Sequence, residues 1–244
     1  MTHISRSVSM HHLYSDYLST CVSKVFKEWN KCVPYVRPLY SVSPASSPEL
    51  VSELCNQQIP MICHNAREVK LVNQSGLIVM DGKQNGKHEY IIRKMNKKEP
   101  LQVSSKSSVP LWIHTTISND GVEQTRKMFE YVWENKHILN GIVFDIQNFT
   151  HPIQSIPPSM YSYKVAMDYI FRNIIYPFQK EYGIVTPSIM IDGRKHVNRV
   201  QHLYELHEQG LSHCNHLWVK YPQIQRPKLH LIVGQLLDTC CQSY

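Results

Sequence analysis

The sequence contains no apolar run near the about 20 residues that cross a bilayer, and its N-terminus lacks the uninterrupted apolar core of a secretory signal. The expectation is a cytoplasmic chain without a membrane partner. It also lacks an internal repeat, and its only low-complexity tracts are the serine-rich stretches 41–47 and 104–108. Charged residues are few, 18% against 42% hydrophobic, and they are spread along the chain, which excludes a disordered, highly charged segment. The seven cysteines (Cys21, Cys32, Cys55, Cys63, Cys214, Cys240, Cys241) are odd in number and scattered. That argues against a disulfide framework and for reduced, mostly buried thiols. His213-Cys-Asn-His216 has metal-capable side chains, with His196, His202 and His207 upstream, but the spacing fits no zinc pattern and no metal is expected.

What is present suits one large α/β domain. At 244 residues the core needs no covalent staples. The net charge of +7 favours an acidic partner. Residues 1–12 are polar without an apolar face and read as a flexible tail, leaving 13–244 as a single domain.

From Tyr14 to Trp29 the apolar residues recur at three/four spacing, predicting a helix with Ser15 and Asp16 as cap candidates. Beyond Pro34, eight runs have strand length and composition: 36–42, 59–63, 77–80, 101–103, 109–115, 141–146, 188–192 and 216–219. Helical patterns lie between several of them, at 48–54, 66–72, 121–135 and 159–182. In the third, Asp120 and Glu123 suggest a capping box, and Val122, Phe129, Val132 and Trp133 a buried stripe. In the fourth, Ile170, Phe171 and Ile174 share one side, Pro177 predicts a kink, and Gly183 ends the helix. The apolar run Leu229 to Leu237 fits a last helix or a strand. Strands alternating with helices imply right-handed crossovers and a parallel sheet, and eight units close a TIM-type (β/α)8 barrel. An open doubly wound sheet is the alternative.

The most prominent surface candidate is the basic stretch from Lys83 to Lys106. There Lys83, Lys87, Arg93, Lys94, Lys97 and Lys98 suggest a partner-binding face, with an ordinary solvated helix face as the alternative, on a helix from about Lys87 to Lys97 with Tyr90, Ile91 and Met95 inward. A nucleic-acid partner needs cations interleaved with exposed aromatics, and only Tyr90 qualifies, so none is expected.

Pro38-Leu-Tyr-Ser-Val-Ser-Pro-Ala45, the helix before it, and Glu68-Val-Lys-Leu-Val72 together resemble the start of the ornithine decarboxylase family, whose pattern is P-x-Y-A-V-K-x-N and later E-[IV]-x-L-V. Asn140-Gly-Ile-Val-Phe-Asp-Ile-Gln-Asn-Phe149 falls where that family has G-V-S-F-H-V-G-S-G, and Ile189-Met-Ile-Asp-Gly-Arg-Lys195 where it has L-D-I-G-G-G. The resemblance covers roughly residues 14–220 in order and spacing. It implies a barrel of the alanine racemase and ornithine decarboxylase type, without the family's C-terminal β-domain.

The family's chemistry needs a lysine amine to form a Schiff base with pyridoxal phosphate. Ser43 stands at that position, and no residue from Tyr40 to Ser47 is a lysine. Asp145 stands where the ring-packing histidine is expected, and Gly193-Arg-Lys195 replaces the three glycines of the phosphate turn. Only Tyr221-Pro-Gln-Ile224 lies near the place of the family's E-P-G-R. Glu68 is read as a solvated or capping residue, Asp192 as inherited structure, and Trp112 as barrel filling.

The resemblance therefore implies no bound pyridoxal phosphate and no enzymatic activity. It implies a regulator of polyamine metabolism that binds antizyme through the basic face or, alternatively, a heterodimeric partner of an active decarboxylase. A residual pyridoxal-phosphate decarboxylase is the remaining reading.

Overall fold

The computed structural model describes residues 2–72, 78–81, 89–92, 110–116, 119–145, 168–183, 185–194, 202, 204, 212–234 and 236–238. Eight strands, β1 (Val36–Ser41), β2 (Met61–Cys63), β3 (Ile78–Asp81), β4 (Glu89–Ile92), β5 (Leu111–Thr116), β6 (Leu139–Asp145), β7 (Ser188–Asp192) and β8 (Lys228–Val233), follow one another in space as in sequence. Every neighbouring pair is parallel, and β8 pairs with β1 from Val36↔Leu229 to Tyr40↔Val233, so the sheet closes on itself. Closure leaves no sheet edge to be protected.

Two apolar layers hold the ring. Inside it, each strand contributes one buried residue: Leu39, Ile62, Val79, Ile91, Trp112, Val143, Met190 and Ile232. Strand side chains alternate between faces, so these positions fix which residues look into the barrel. Outside, Val36, Tyr40, Leu111, Ile113, Ile142 and Phe144 pack with the helices in a second cluster. Burying a Leu, Ile, Val or Phe contributes about 1.5–3 kcal/mol, and both layers consist almost wholly of such residues.

Helices α1 (Thr2–Cys32), α2 (Pro48–Asn56), α3 (Ala66–Leu71), α4 (Asn119–Glu134), α5 (Tyr176–Tyr182) and α6 (Ser212–Lys220) are described. α1 starts before the expected Tyr14, so Ser15 and Asp16 lie inside the helix and do not cap it. Its buried stripe runs Leu18, Val22, Val25, Trp29, and Trp29 Nε1 donates to the Val36 carbonyl at 2.7 Å, pinning the helix end to the start of β1. No helix among the described residues is long and apolar enough to cross a membrane.

α4 buries Phe129 and Val132 as expected, but Trp133 is 58% exposed. Adjacent residues on a helix are about 100° apart, and a stripe already containing 128, 129 and 132 leaves 133 outside it. Before α5, residues Phe171–Ile175 form a π-helical turn in which the Tyr176 amide donates to the Phe171 carbonyl. Pro177 has no amide to donate, and the wider turn ahead of it accommodates that loss. Gly183 ends the helix at φ +65°.

Three further sequence expectations change. The basic stretch does not form a helix through Glu89–Ile92; those residues are β4, registered between β3 and β5. A helix there would break the ring and strand two sets of backbone donors and acceptors. His216–Val219 lies within α6, where Leu217 and Trp218 are buried while His216, Val219 and Lys220 are exposed, a helical face and not strand alternation. The undecided run after Pro227 supplies β8 instead. Tyr221–Ile224 consequently precedes β8, at the end of the barrel where the strands begin and away from the end where Ser41, His64 and Asp192 lie. The expected strand 101–103 lies outside the described residues, as do the βα connections after β3 and β4.

Candidate functional site at the barrel mouth

In a parallel barrel all strands end on one face, where loop residues converge and chemistry is found. Continuing the inward alternation two residues past the interior layer reaches Ser41 after Leu39, His64 after Ile62, Asp192 after Met190 and Gly234 after Ile232. These residues meet. Arg194, on the turn after β7, places Nε 3.0 Å and 3.2 Å from the two Asp192 carboxylate oxygens and Nη2 2.6 Å from Oδ2. Its Nη1 lies 3.4 Å from both Ser41 Oγ and His64 Nε2, which are themselves 3.2 Å apart. Asp192 is only 5% exposed, and a buried carboxylate requires such a partner.

Ser43 sits two residues beyond the end of β1. Its amide donates to Ser46 Oγ at 3.0 Å and its hydroxyl oxygen is 3.2 Å from the same atom. Ser46 is joined in turn to the buried Tyr40 hydroxyl at 2.7 Å, which donates to Asp238 Oδ1 at 2.7 Å. Burial pushes the Asp238 carboxyl above its ordinary range, and the Tyr40 bond opposes that shift. This chain of hydroxyls ties the β1 turn to the segment after β8. Asp238 carries no signal in the sequence, because no local pattern marks a residue whose partner is 198 positions away.

Glu68 is a capping residue, as expected. It is buried, accepts from the His64 amide at 2.6 Å and from Asn65 Nδ2 at 2.5 Å, while Asn65 Oδ1 accepts from the Arg67 and Glu68 amides at 3.0 Å. The arrangement is a variant of the capping box at the start of α3, with the carboxylate reaching past the Asn65 amide to that of His64. Asn65→Ala is expected to cost about 1 kcal/mol, a fall of roughly 2–4 °C in Tm by thermal denaturation. The same carboxylate lies near Cys63, whose thiol is pushed up to about 12, chiefly by burial and then by Glu68. A buried thiol with so little thiolate is a packing group.

Asp145 ends β6 in register with Thr116 of β5 and Asp192 of β7. Trp112 is 1% exposed and fills the barrel as expected, with Nε1 donating to Glu89 Oε2 at 2.7 Å. Lys83, Lys87, Arg93, Lys94, Lys97, Lys98, Lys195 and Gln147–Phe149 lie outside the described residues. No cluster of metal-ligating side chains occurs among the described residues, and Cys21, Cys32, Cys55 and Cys63 are free thiols.

No protein-family model matches the sequence, and comparison with curated sequences returns no match. Solved structures do match. The lysine/ornithine decarboxylase of Vibrio vulnificus complexed with cadaverine superposes with a TM-score of 0.66 at 14% identity, covering 90% of this chain and 62% of that one. The ornithine decarboxylase of Entamoeba histolytica gives 0.61 at 16% identity, covering 90% and 63%, and the arginine decarboxylase of Paramecium bursaria Chlorella virus 0.60 at 12%, covering 90% and 63%. The chain thus spans about three fifths of the length of these structures. The expectation of a non-enzyme is corrected by this likeness, because the structures it matches are named as decarboxylases and point to an enzyme fold. What the geometry and the comparisons establish together is the fold, the curled parallel barrel of the lysine, ornithine and arginine decarboxylases.

Proposed function

We propose that this chain is a decarboxylase-fold regulator of polyamine metabolism that acts by binding protein, either antizyme or the subunit of an active decarboxylase. The observation that carries the reading is the chemistry of the barrel mouth. Where the resembling family has its Schiff-base lysine, Ser43 offers a hydroxyl already bonded to Ser46. A hydroxyl forms no imine. The phosphate turn has Arg194 in place of a glycine, and its side chain folds over the mouth against Asp192. These residues do not fit pyridoxal phosphate as that family holds it, and no covalent link to the cofactor forms at position 43.

The basic residues support an acidic partner. Lys83 and Lys87 precede β4, and Arg93, Lys94, Lys97 and Lys98 follow it, so the proposed surface is two short segments flanking a strand. Complementary charge of this kind chiefly sets on-rate and specificity. The complete (β/α)8 unit belongs to the same proposal.

Co-expression with an active ornithine decarboxylase, or with antizyme, followed by size-exclusion chromatography tests it. The expected result is a mixed complex and an altered decarboxylase turnover, with capture weakened about tenfold or more when Lys94, Lys97 and Lys98 are changed together to glutamate. Absence of a complex with both partners overturns the proposal. The activities named for the matching structures supply a second reading, a decarboxylase in its own right. Carbon dioxide release from lysine, ornithine or arginine, together with a visible absorbance band trapped by borohydride on a lysine, would put that reading in place of the regulator.

A further inference from the structure

The cluster at the ends of β1, β2 and β7 has a specific arrangement. Asp192 takes Nε and Nη2 of Arg194, which fixes the plane of the guanidinium and turns its remaining nitrogen, Nη1, across the mouth. There Nη1, Ser41 Oγ and His64 Nε2 form a triangle with edges of 3.4, 3.4 and 3.2 Å. Arg194 Cγ comes within 4.0 Å of where a side chain on Gly234 would start, so the arginine crosses the end of β8 on its way from β7 to β1. Burial is graded from floor to rim: Asp192 and Ser41 are 5% and 6% exposed, the Arg194 side chain 31%, and His64 is exposed.

We propose that Arg194, Ser41 and His64 form a non-covalent binding site for an oxyanion, the carboxylate or phosphate group of a small molecule. A guanidinium, a hydroxyl and an imidazole nitrogen converge on one point from three strands; the first two can donate to an anion there, and the imidazole does so in its Nε2-protonated form. Edges at 3.2–3.4 Å are long for hydrogen bonds between these groups. An oxyanion above the triangle exchanges them for shorter, charge-assisted bonds. Asp192 keeps the guanidinium aimed, so little side-chain freedom is lost on binding. The Asp192 charge lies on the far edge of the guanidinium, and it limits the site to modest affinity, as for a group that anchors one end of a larger ligand. This inference goes beyond the partner-binding proposal and is independent of it, since complex formation and anion binding are measured separately.

The test uses the full chain in chloride, acetate and inorganic phosphate at equal ionic strength, with thermal denaturation and isothermal titration as readouts. Saturable binding of phosphate or acetate is expected, with a rise in Tm over chloride; the preferred anion tells a phosphate-bearing from a carboxylate-bearing ligand. Arg194→Gln should weaken binding at least about tenfold, as expected for loss of hydrogen bonds from a charged group. His64→Gln alters an exposed residue, leaves the fold intact and should weaken binding by a smaller factor, which keeps the test decisive if the arginine variant does not fold. Equal behaviour in the three salts, or undiminished binding in the His64 and Arg194 variants, overturns the site.

Discussion

Gly141→Ala is expected to destabilise the barrel by about 3 kcal/mol or more, the upper end of the range for an overpacked core. A Cβ at position 141 would lie 2.2 Å from the Ser188 carbonyl oxygen and 2.6 Å from Trp112 Cζ3. Neither neighbour is free to withdraw. Ser188 belongs to β7, held by β6 on one side and β8 on the other. The Trp112 indole donates to Glu89 at 2.7 Å and stands edge-on to His230 with ring centroids 5.9 Å apart. The β5–β6 register also slips here, from Leu111↔Leu139 to Trp112↔Gly141, and Asn140 uses the irregularity to donate to Glu89 at 2.7 Å. Urea denaturation of the alanine variant measures the loss. Adding Trp112→Leu should not rescue it, because the carbonyl contact remains. A Gly141→Ala chain as stable as the parent would mean that β6 does not approach β7 in this way.

Acidification should remove about 3 kcal/mol of stability through His230 alone. This side chain is 5% exposed, its Nδ1 has no hydrogen-bond partner among the described residues, and burial followed by the charges of Arg37 and Lys228 lowers its pKa from 6.5 to about 4. The neutral imidazole is the form that suits the fold. Between pH 6.5 and 4 the unfolded chain takes up a proton that the folded chain refuses, so stability falls as pH drops through that window and levels off below it. Above pH 6.5 the group contributes no slope. The stability of His230→Leu, followed by urea denaturation from pH 7.5 to 4, should lack this component. An unchanged slope in the variant assigns the acid sensitivity elsewhere.

Both predictions concern the floor and interior of the barrel, and the anion site concerns its mouth. They share one cause: the interior alternation that places Trp112 and His230 inside also delivers Ser41, His64 and Asp192 to the same end of the ring. The mouth was therefore partly legible. Once Leu39, Ile62, Met190 and Ile232 are recognised as inward, counting two residues onward finds three of the four polar groups. In the sequence Arg194 stands out only as a replacement for a glycine, and its folding back onto Asp192 is not apparent there, because a turn residue's direction is set by packing and not by period.

Helix α4, the β5 and β6 runs, β7 and the Gly183 terminus were fixed by local signals strong enough to stand alone, namely apolar spacing, β-branched composition and a glycine at positive φ. Short segments were not. Glu89–Ile92 and His216–Val219 each contain apolar residues compatible with either period, and a run of four is too short for the pattern to decide. Their states follow from ring closure: a gap between β3 and β5 needs a strand, while after β7 a crossover must return along the outside before β8 can enter. The sequence by itself determined the class of fold, the order of most of its elements and the serine at position 43. Only the tertiary structure decided which run closes the barrel and that Ser41, His64, Asp192 and Arg194 meet, because β8 pairs with β1 across about 190 positions and Arg194 reaches Ser41 across 153, separations at which no local propensity carries information.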